Sequence, residues 1–319
     1  MRPARPEWAL VRVGRVVFSS SEDLTRVVRA KVVAAETALV SCVTAAAEGL
    51  FATLFPGDCR LCGTPLIKIS RLPVCQDCLL AMRPMEGSRC ALCGERLSGP
   101  YRMPSPDGEA ICGLCRESEP AFVKAAAYGS YEGGLRDLIH LLKYEHMRPA
   151  AQVLGRMLAE VVSVLAPSFE RGEPVVVPVP LHASKLRQRG FNQVELITRA
   201  ALKLKPAGLE LALHPEVLER ARPTASQTGL SIHQRRENMR GAFAVLRPDL
   251  VRERDVLLVD DVMTTGTTVS ECARVLRRAG ANRVWVATVA RTLKHEVTFA
   301  VPERSADDEE VRMAMAAHG

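Results

Sequence analysis

Eight of the ten cysteines in this 319-residue chain stand in four C-x-x-C pairs. The pairs are Cys59/Cys62, Cys75/Cys78, Cys90/Cys93 and Cys112/Cys115, with 12, 11 and 18 residues between successive pairs. Two thiolates two residues apart grip one ion from a single tight turn, and two such turns complete a tetrahedron. Gly63 and Gly94 each follow the second cysteine of a pair, where a turn commonly needs positive φ. The ligand chemistry points to two structural Zn2+ ions, closed by cysteine on every side and so without a position for catalysis. Pairing neighbours gives one site from Cys59, Cys62, Cys75 and Cys78 and another from Cys90, Cys93, Cys112 and Cys115. A crossed pairing satisfies the spacing equally, and an iron–sulfur cluster or a disulfide mesh are the alternatives to zinc. Cys42 and Cys272 stand alone in helix-like stretches.

A second stretch carries different chemistry. Val256 to Val259 is an apolar run that leads directly into Asp260 and Asp261, then into Thr264, Thr265, Gly266, Thr267 and Thr268, and then into a helical pattern. Ligands of open parallel sheets bind beyond the C-terminal ends of strands. A helix N-terminus there offers free N–H groups and the positive end of a dipole, both suited to an anion. The threonine hydroxyls add donors, and Gly266 allows close backbone approach. Carboxylates just upstream repel phosphate but accept hydrogen bonds from sugar hydroxyls, so the whole describes a pocket for a ribose 5-phosphate. The pattern is neither G-x-x-x-x-G-K-[ST] nor G-x-G-x-x-G. The plainer alternative is a helix N-cap with incidental acidic residues.

The elements that must position these residues follow from periodicity. Leu135 to Lys143 reads as a helix with Leu135, Leu138, Ile139 and Leu142 on one face, and Pro149 to Leu165 as a second helix. Val175 to Val179 is a strand buried on both faces. Asn192 to Leu204 is helical, Thr267 to Arg278 is a helix ended by Gly280, and Val284 to Val289 is a third strand after Val256 to Val259. Strand, helix and strand over 256–289 form a βαβ unit, hence an α/β domain with a parallel sheet. Four segments result: a helical extension over 1–55, helical from Ser21 onward; a Cys-rich segment over 56–118; the α/β domain over 119–299; and an acidic, solvated tail over 300–319. Hydrophobic residues make up 47% of the chain, which excludes wholesale disorder.

No apolar run reaches the roughly 18 residues that span a bilayer; the nearest, Thr37 to Phe55, is interrupted by Glu48. The first 20 residues scatter Arg2, Arg5, Arg12 and Arg15 without a clean apolar core, which argues against a secretory signal. The reading is a soluble, cytoplasmic protein. Its formal net charge is +7, which eight thiolates on two divalent ions would bring to about +3. Between Ala183 and Arg254, however, 14 Lys/Arg face 7 Asp/Glu, so a polyanionic ligand fits there better than elsewhere.

The stretch from Val256 to Thr268 resembles the phosphoribosyl pyrophosphate (PRPP) signature of the type I phosphoribosyltransferases. The resemblance narrows to the ComF family (ComFC/GntX-like competence proteins) through Leu54-Phe-Pro-Gly-Asp-Cys59 and through Tyr131 to Leu142-Lys143-Tyr144. Val177-Pro-Val-Pro-Leu181, Arg189-Gly-Phe-Asn-Gln193, and Arg222 through Gln227 to Arg235, Asn238 and Phe243 extend it, so that it covers about residues 50 to 295. It implies a type I phosphoribosyltransferase fold behind an N-terminal double zinc ribbon. It implies Asp260 and Asp261 as the acidic pair on the ribose hydroxyls, and Thr264 to Thr268 as the 5-phosphate loop. The turn from Leu181 to Lys185 takes the place of the pyrophosphate loop, with Lys185, Arg187 and Arg189 as pyrophosphate ligands; a solvated helix face is the plainer reading of these three cations. Arg222, Gln227 and Arg235/Arg236 are implied as a hood over the ligand.

Two function classes follow from the resemblance. One is an enzyme that displaces pyrophosphate from PRPP with Mg2+ bound to the ligand; neither an acceptor-recognition stretch nor a general base stands out. The other is a competence protein that binds single-stranded DNA and meets competence-machinery proteins, with PRPP as a regulatory ligand or none. Aromatic residues are only 4% of the chain, and Phe191 and Phe243 are the two within the basic stretch, so stacking platforms for unpaired bases are few.

Overall fold

The computed structural model describes residues 12–13, 16–17, 57–66, 70–97, 109–169, 172–222 and 232–293. The helix expected from Ser21 to 55 and the tail over 300–319 lie outside them. The chain divides into two compact units, Met1–Leu79 and Leu80–Gly319. The division falls between the second and third cysteine pairs. In the first unit, β1 (Arg12–Val13) pairs antiparallel with β2 (Val16–Val17), and a cysteine-bearing turn region leads into α1 (Gln76–Ala81), where the division falls.

The second unit is built on four parallel strands in the order β3-β8-β7-β4: β3 (Lys124–Ser130), β4 (Val175–Pro178), β7 (Val256–Met263) and β8 (Val284–Arg291). All four therefore end at the same edge of the sheet. The central strands begin as apolar runs buried on both faces, as parallel strands in the middle of a sheet must be. β3 has no counterpart among the expected strands. Its sequence, KAAAYGS, lacks β-branched residues and favours helix in isolation; the sheet edge, with one buried face, overrides that preference. β7 runs four residues past the expected end at Val259, because pairing with β8 continues from Asp260↔Thr288 to Met263↔Arg291.

The helices fall where periodicity puts them: α3 (Gly133–Tyr144), α4 (Ala150–Leu165), α6 (Gln193–Leu202) and α8 (Thr267–Arg278). The short α2 (Gly113–Glu117) belongs to the second cysteine region. α4 lies against β3, β8 and α6. A Cβ on its Gly155 would come within 2.5 Å of the Ala200 Cβ and 3.0 Å of the Ala201 nitrogen, so two helix backbones meet there with nothing between. Among the described residues, α4 with its 3-10 extension (Ala150–Ser168) is the one helix long and apolar enough to cross a membrane, but most of it is buried inside the domain. α8 packs on β7 beside a two-stranded antiparallel ribbon, β5 (Leu218–Arg220) with β6 (Phe243–Val245), and against α7 (Ile232–Met239).

The segment after β4 departs from expectation. In place of the expected turn through Lys185, Ala183–Arg189 forms a two-turn helix, α5. The His182 ring nitrogen caps it by accepting from Ser184 N, and Gly190 at φ 73° ends it. The second pair of cysteine turns shares the core of this unit: Cys90, Cys93 and Cys115 are buried together with Phe122, Ala125, Met239, Met263 and Val269. Gly94, at φ +69°, lets the turn approach β3 so closely that a Cβ would sit 3.0 Å from the Ala125 carbonyl oxygen.

Candidate functional site: two thiolate cages and a cationic pocket at the sheet edge

The four cysteine pairs resolve into neighbours. Sulfur atoms of Cys59, Cys62, Cys75 and Cys78 lie within 4.8 Å of one another, and so do those of Cys90, Cys93, Cys112 and Cys115. Sulfur–sulfur distances are 3.9 Å for Cys59–Cys78, 3.7 Å for Cys62–Cys75 and 3.7 Å for Cys93–Cys112. A tetrahedron with Zn–S bonds of about 2.3 Å has edges of about 3.8 Å, so both cages have the dimensions of a Zn2+ site, and neither disulfide bonding nor crossed pairing fits. Backbone N–H groups point at the sulfurs, from Cys75 to Cys59 at 3.2 Å and from Cys112 to Cys90 at 3.3 Å, as thiolates require. Gly63 and Gly94 both adopt the positive φ expected of the turns.

The second cage touches the sheet. Arg291, the last residue of β8 and only 3% exposed, donates from Nη2 to Glu95 at 2.8 Å and to Cys93 Sγ at 3.6 Å. Its Nε and Nη1 are buried without a hydrogen-bond partner. A guanidinium so placed is costly unless negative charge surrounds it, and a Zn2+ held by four thiolates carries a net charge of about −2. The cage therefore fits the ion on charge as well as on size. Arg291 is also the sheet partner of Met263, the residue before the threonine loop.

That loop has the expected form. β7 delivers Asp260 and Asp261, the chain turns through Thr264–Gly266, and Gly266 at φ 76° opens α8. The positive φ is why glycine stands there. Thr265 and Thr267 share a hydroxyl hydrogen bond of 2.8 Å. A cavity of about 280 Å³ flanks the loop, lined by Met263, Thr267 and Arg291 together with Cys93, Leu114 and Phe122.

The carboxylates, expected as a pair, are separated by the pleat of the strand. Asp261 is buried on the α3/α6 side, where Lys143 Nζ donates to one oxygen at 2.8 Å and Gln193 Nε2 to the other at 2.6 Å. Asp260 keeps a partly exposed edge and accepts the Asp261 backbone N–H at 2.9 Å. Burial, and then the Asp261 charge beside it, push the Asp260 carboxyl up to about 7, while Lys143 and Arg220 pull against them. Burial alone disfavours the Lys143 ammonium, but the Asp261 contact outweighs it and holds Lys143 above the ordinary lysine value.

Cations converge on this end of β7. Arg189 donates to the Gln193 side chain that holds Asp261. Lys185 is pushed below the ordinary lysine value by partial burial and then by Arg220, Arg189 and Lys143. Burial, foremost, also lowers Arg220, against the attraction of Asp260. Arg187 lies exposed on α5. Arg222 donates to the carbonyls of Asn238 and Arg240 at 2.9 and 2.8 Å, tying β5 to the end of α7. Gln227 and the side chains of Arg235 and Arg236 lie outside the described residues.

Sequence reasoning assigns no role to Lys143, Gln193, Arg220, Glu95 or Arg291. Lys143 and Gln193 sit inside the stretches that carry the family resemblance, and a polar residue on the apolar side of a helix is the available signal. Arg291 and Glu95 give none, since they are far apart in sequence and meet only through the fold.

A model of the phosphoribosyl transferase domain matches residues 143–303, and a model of the double zinc ribbon domain matches residues 50–116. The chain is 33% identical over 239 residues to the DNA utilization protein YhgH of Escherichia coli K12, covering 75% of this chain and 98% of that one. It is 31% identical over 182 residues to competence protein F of Haemophilus influenzae, covering 56% of this chain and 78% of the relative. With competence protein ComFC of Streptococcus pneumoniae it shares 24% identity over 242 residues, 73% of this chain and 99% of the relative.

Proposed function

Given that the chain belongs to the ComF family of proteins with a phosphoribosyltransferase domain and an N-terminal Cys-rich zinc-ribbon region, we propose that the pocket at the sheet edge binds PRPP and transfers its phosphoribosyl group, releasing pyrophosphate. The reaction would serve the handling of imported DNA, alongside competence-machinery partners, a reading supported by relatives named for DNA utilization and for competence. The observation that carries the reading is the convergence of Lys143, Lys185, Arg189 and Arg220 on the end of a strand that runs into a glycine-opened helix N-terminus. A compact polyanion with a sugar between its phosphates matches that distribution of charge.

In this reading the 5-phosphate sits on the N–H groups and hydroxyls of Thr264 to Thr268, where the α8 dipole favours it. Asp260, with its free edge, accepts from a ribose hydroxyl. Asp261 positions Lys143 and Gln193, and through Gln193 it sets Arg189 toward the pyrophosphate, with Lys185 and Arg187 beside it. An acceptor nucleophile forms a bond to C1 as the C1–O bond to pyrophosphate breaks, and the acceptor's proton leaves it. Mg2+ bound with PRPP would neutralise the departing pyrophosphate. The chain's own part is to hold the sugar and stabilise the leaving charge. The two zinc ions are structural.

Calorimetric titration of PRPP with Mg2+ into the wild type and into Asp260→Asn/Asp261→Asn tests the pocket, followed by assay of pyrophosphate release. The expected result is saturable binding weakened at least about 100-fold in the variant, with acceptor-dependent release. Binding without release under any acceptor would make PRPP a regulatory ligand. No binding to zinc-loaded, folded protein would overturn the reading.

A further inference from the structure

We propose that Tyr144, with His140 and Arg189, forms a stacking platform for an unpaired base of a single-stranded nucleic acid, next to the sugar pocket. The inference rests on the reading above and deepens it by locating its nucleic-acid partner. It begins with a residue out of place: α3 buries Leu135, Leu138, Ile139, Leu141 and Leu142, and on its solvent face it carries His140 and Tyr144 one turn apart. Tyr144 is 65% exposed and is the one aromatic among the large apolar side chains exposed in the described residues. An exposed tyrosine by itself needs no explanation. This one is held in an ordered stack.

The His140 ring meets the Tyr144 ring edge-on at 5.2 Å, and His140 is itself fixed by Tyr131, whose hydroxyl lies 2.9 Å from His140 Nε2. The Arg189 guanidinium lies 5.6 Å from the centre of the Tyr144 ring. The platform is therefore preorganised, at low entropy cost to a ligand. A second cluster follows along the chain: Arg148 lies 5.0 Å from the Phe191 ring, which His146 meets edge-on at 5.9 Å. The low overall aromatic content argues against such platforms. The fold answers it by setting the exposed Tyr144 ring against Arg189 of the basic helix α5, while Phe191, itself buried, serves to hold Arg148.

Chemistry selects the occupant. A flat π-face with Arg189 over it, and with Lys185 and Lys143 among the cations near that arginine, suits a base attached to a phosphate backbone. A duplex keeps its bases stacked on each other, so only a single strand offers one to the ring. Continuity with the pocket comes through two residues: Lys143, adjacent to Tyr144 in sequence, holds Asp261, and Arg189 contacts both Tyr144 and Gln193.

The test uses the full-length, zinc-loaded protein and a labelled oligothymidylate of about 12 nucleotides. Tyr144→Leu should weaken binding about tenfold, and Tyr144→Phe by less than about twofold, because the ring and not the hydroxyl makes the contact. Tyr144→Trp should show quenched emission when the strand binds, measured against the wild type, whose Trp8 and fully buried Trp285 set the background. Quenching of that variant by dTMP at equal phosphate concentration would assign the platform to a single nucleotide and overturn the strand. Undiminished strand binding by Tyr144→Leu would overturn the proposal outright, as would strand binding that leaves the emission of Tyr144→Trp unchanged. PRPP titration on the same samples separates the two readings: PRPP binding retained by Tyr144→Leu shows an intact fold, and a wild type that binds the strand but no PRPP sinks only the transferase.

Discussion

At the scale of single residues, the two adjacent aspartates have acquired different roles. Asp261 is consumed in holding Lys143 and Gln193, whereas Asp260 keeps a partly exposed edge in a setting that disfavours its charge. The consequence for stability has a definite sign. A carboxyl at about 7 in the folded chain and about 3.9 unfolded takes up a proton on folding. Its contribution is full below about pH 4 and is lost as pH rises through about 7. Asp260→Asn, which keeps the shape and removes the charge, should match wild-type stability near pH 4 and exceed it by about 1–2 kcal/mol at about pH 8. That is less than a dry site would give, because the edge of Asp260 meets solvent. Urea denaturation of the ligand-free proteins at the two pH values checks it; equal midpoints at the higher pH would show that Asp260 is already charged without strain.

At the scale of elements, periodicity locates helices α3, α4, α6 and α8 and strands β4, β7 and β8, since each is apolar on its buried side and bounded by recognisable residues. Several described elements escape it, among them the ribbon strands β5 and β6, helix α7, and two that border the site, β3 and α5. β3 is alanine-rich and is a strand only because β8 pairs with it, and α5 is short enough that nothing in its seven residues distinguishes helix from turn. The loop from Asp260 to Thr268 is legible because its residue types are chemically unusual side by side. Lys143 and Gln193 are not, because the carboxylate they hold lies 118 and 68 residues away in the chain. Packing of α4 on α6 offers a test at this scale. Gly155→Ala gains about 1 kcal/mol of helix propensity but drives a methyl into Ala200 and the Ala201 backbone. A net loss of about 1–2 kcal/mol is expected from the overpacking. An unchanged or raised melting midpoint would mean that the two helices slide apart without cost.

At the scale of the whole molecule, cysteine spacing counts two metal sites within one cysteine-rich segment. Spacing reveals ligands; it says nothing of what packs behind them. The first cage belongs to the unit Met1–Leu79, and the second shares the hydrophobic core of Leu80–Gly319. Metal analysis should return about two zinc per chain, and the two should differ in what their loss does. Cys62→Ser should release one zinc and leave the main thermal transition within about 2 °C, whereas Cys93→Ser should release one and lower it by about 5 °C or more, since Arg291 loses its counter-charge. Equal effects would mean that the two cages are equally integral to the α/β unit.

Where this protein can be cut is set by the same contact between Arg291, Glu95 and Cys93. A fragment begun at 119, where cysteine-rich sequence gives way to α/β sequence, strips part of the lining from the cavity beside the threonine loop. It lays bare Phe122 and Met263 and leaves a buried guanidinium facing water-exposed hydrocarbon. A fragment begun near Leu80 keeps every one of those neighbours. The α/β unit thus carries the four cysteines of the second cage with it, and preparing it with and without added zinc should give two samples of different thermal stability.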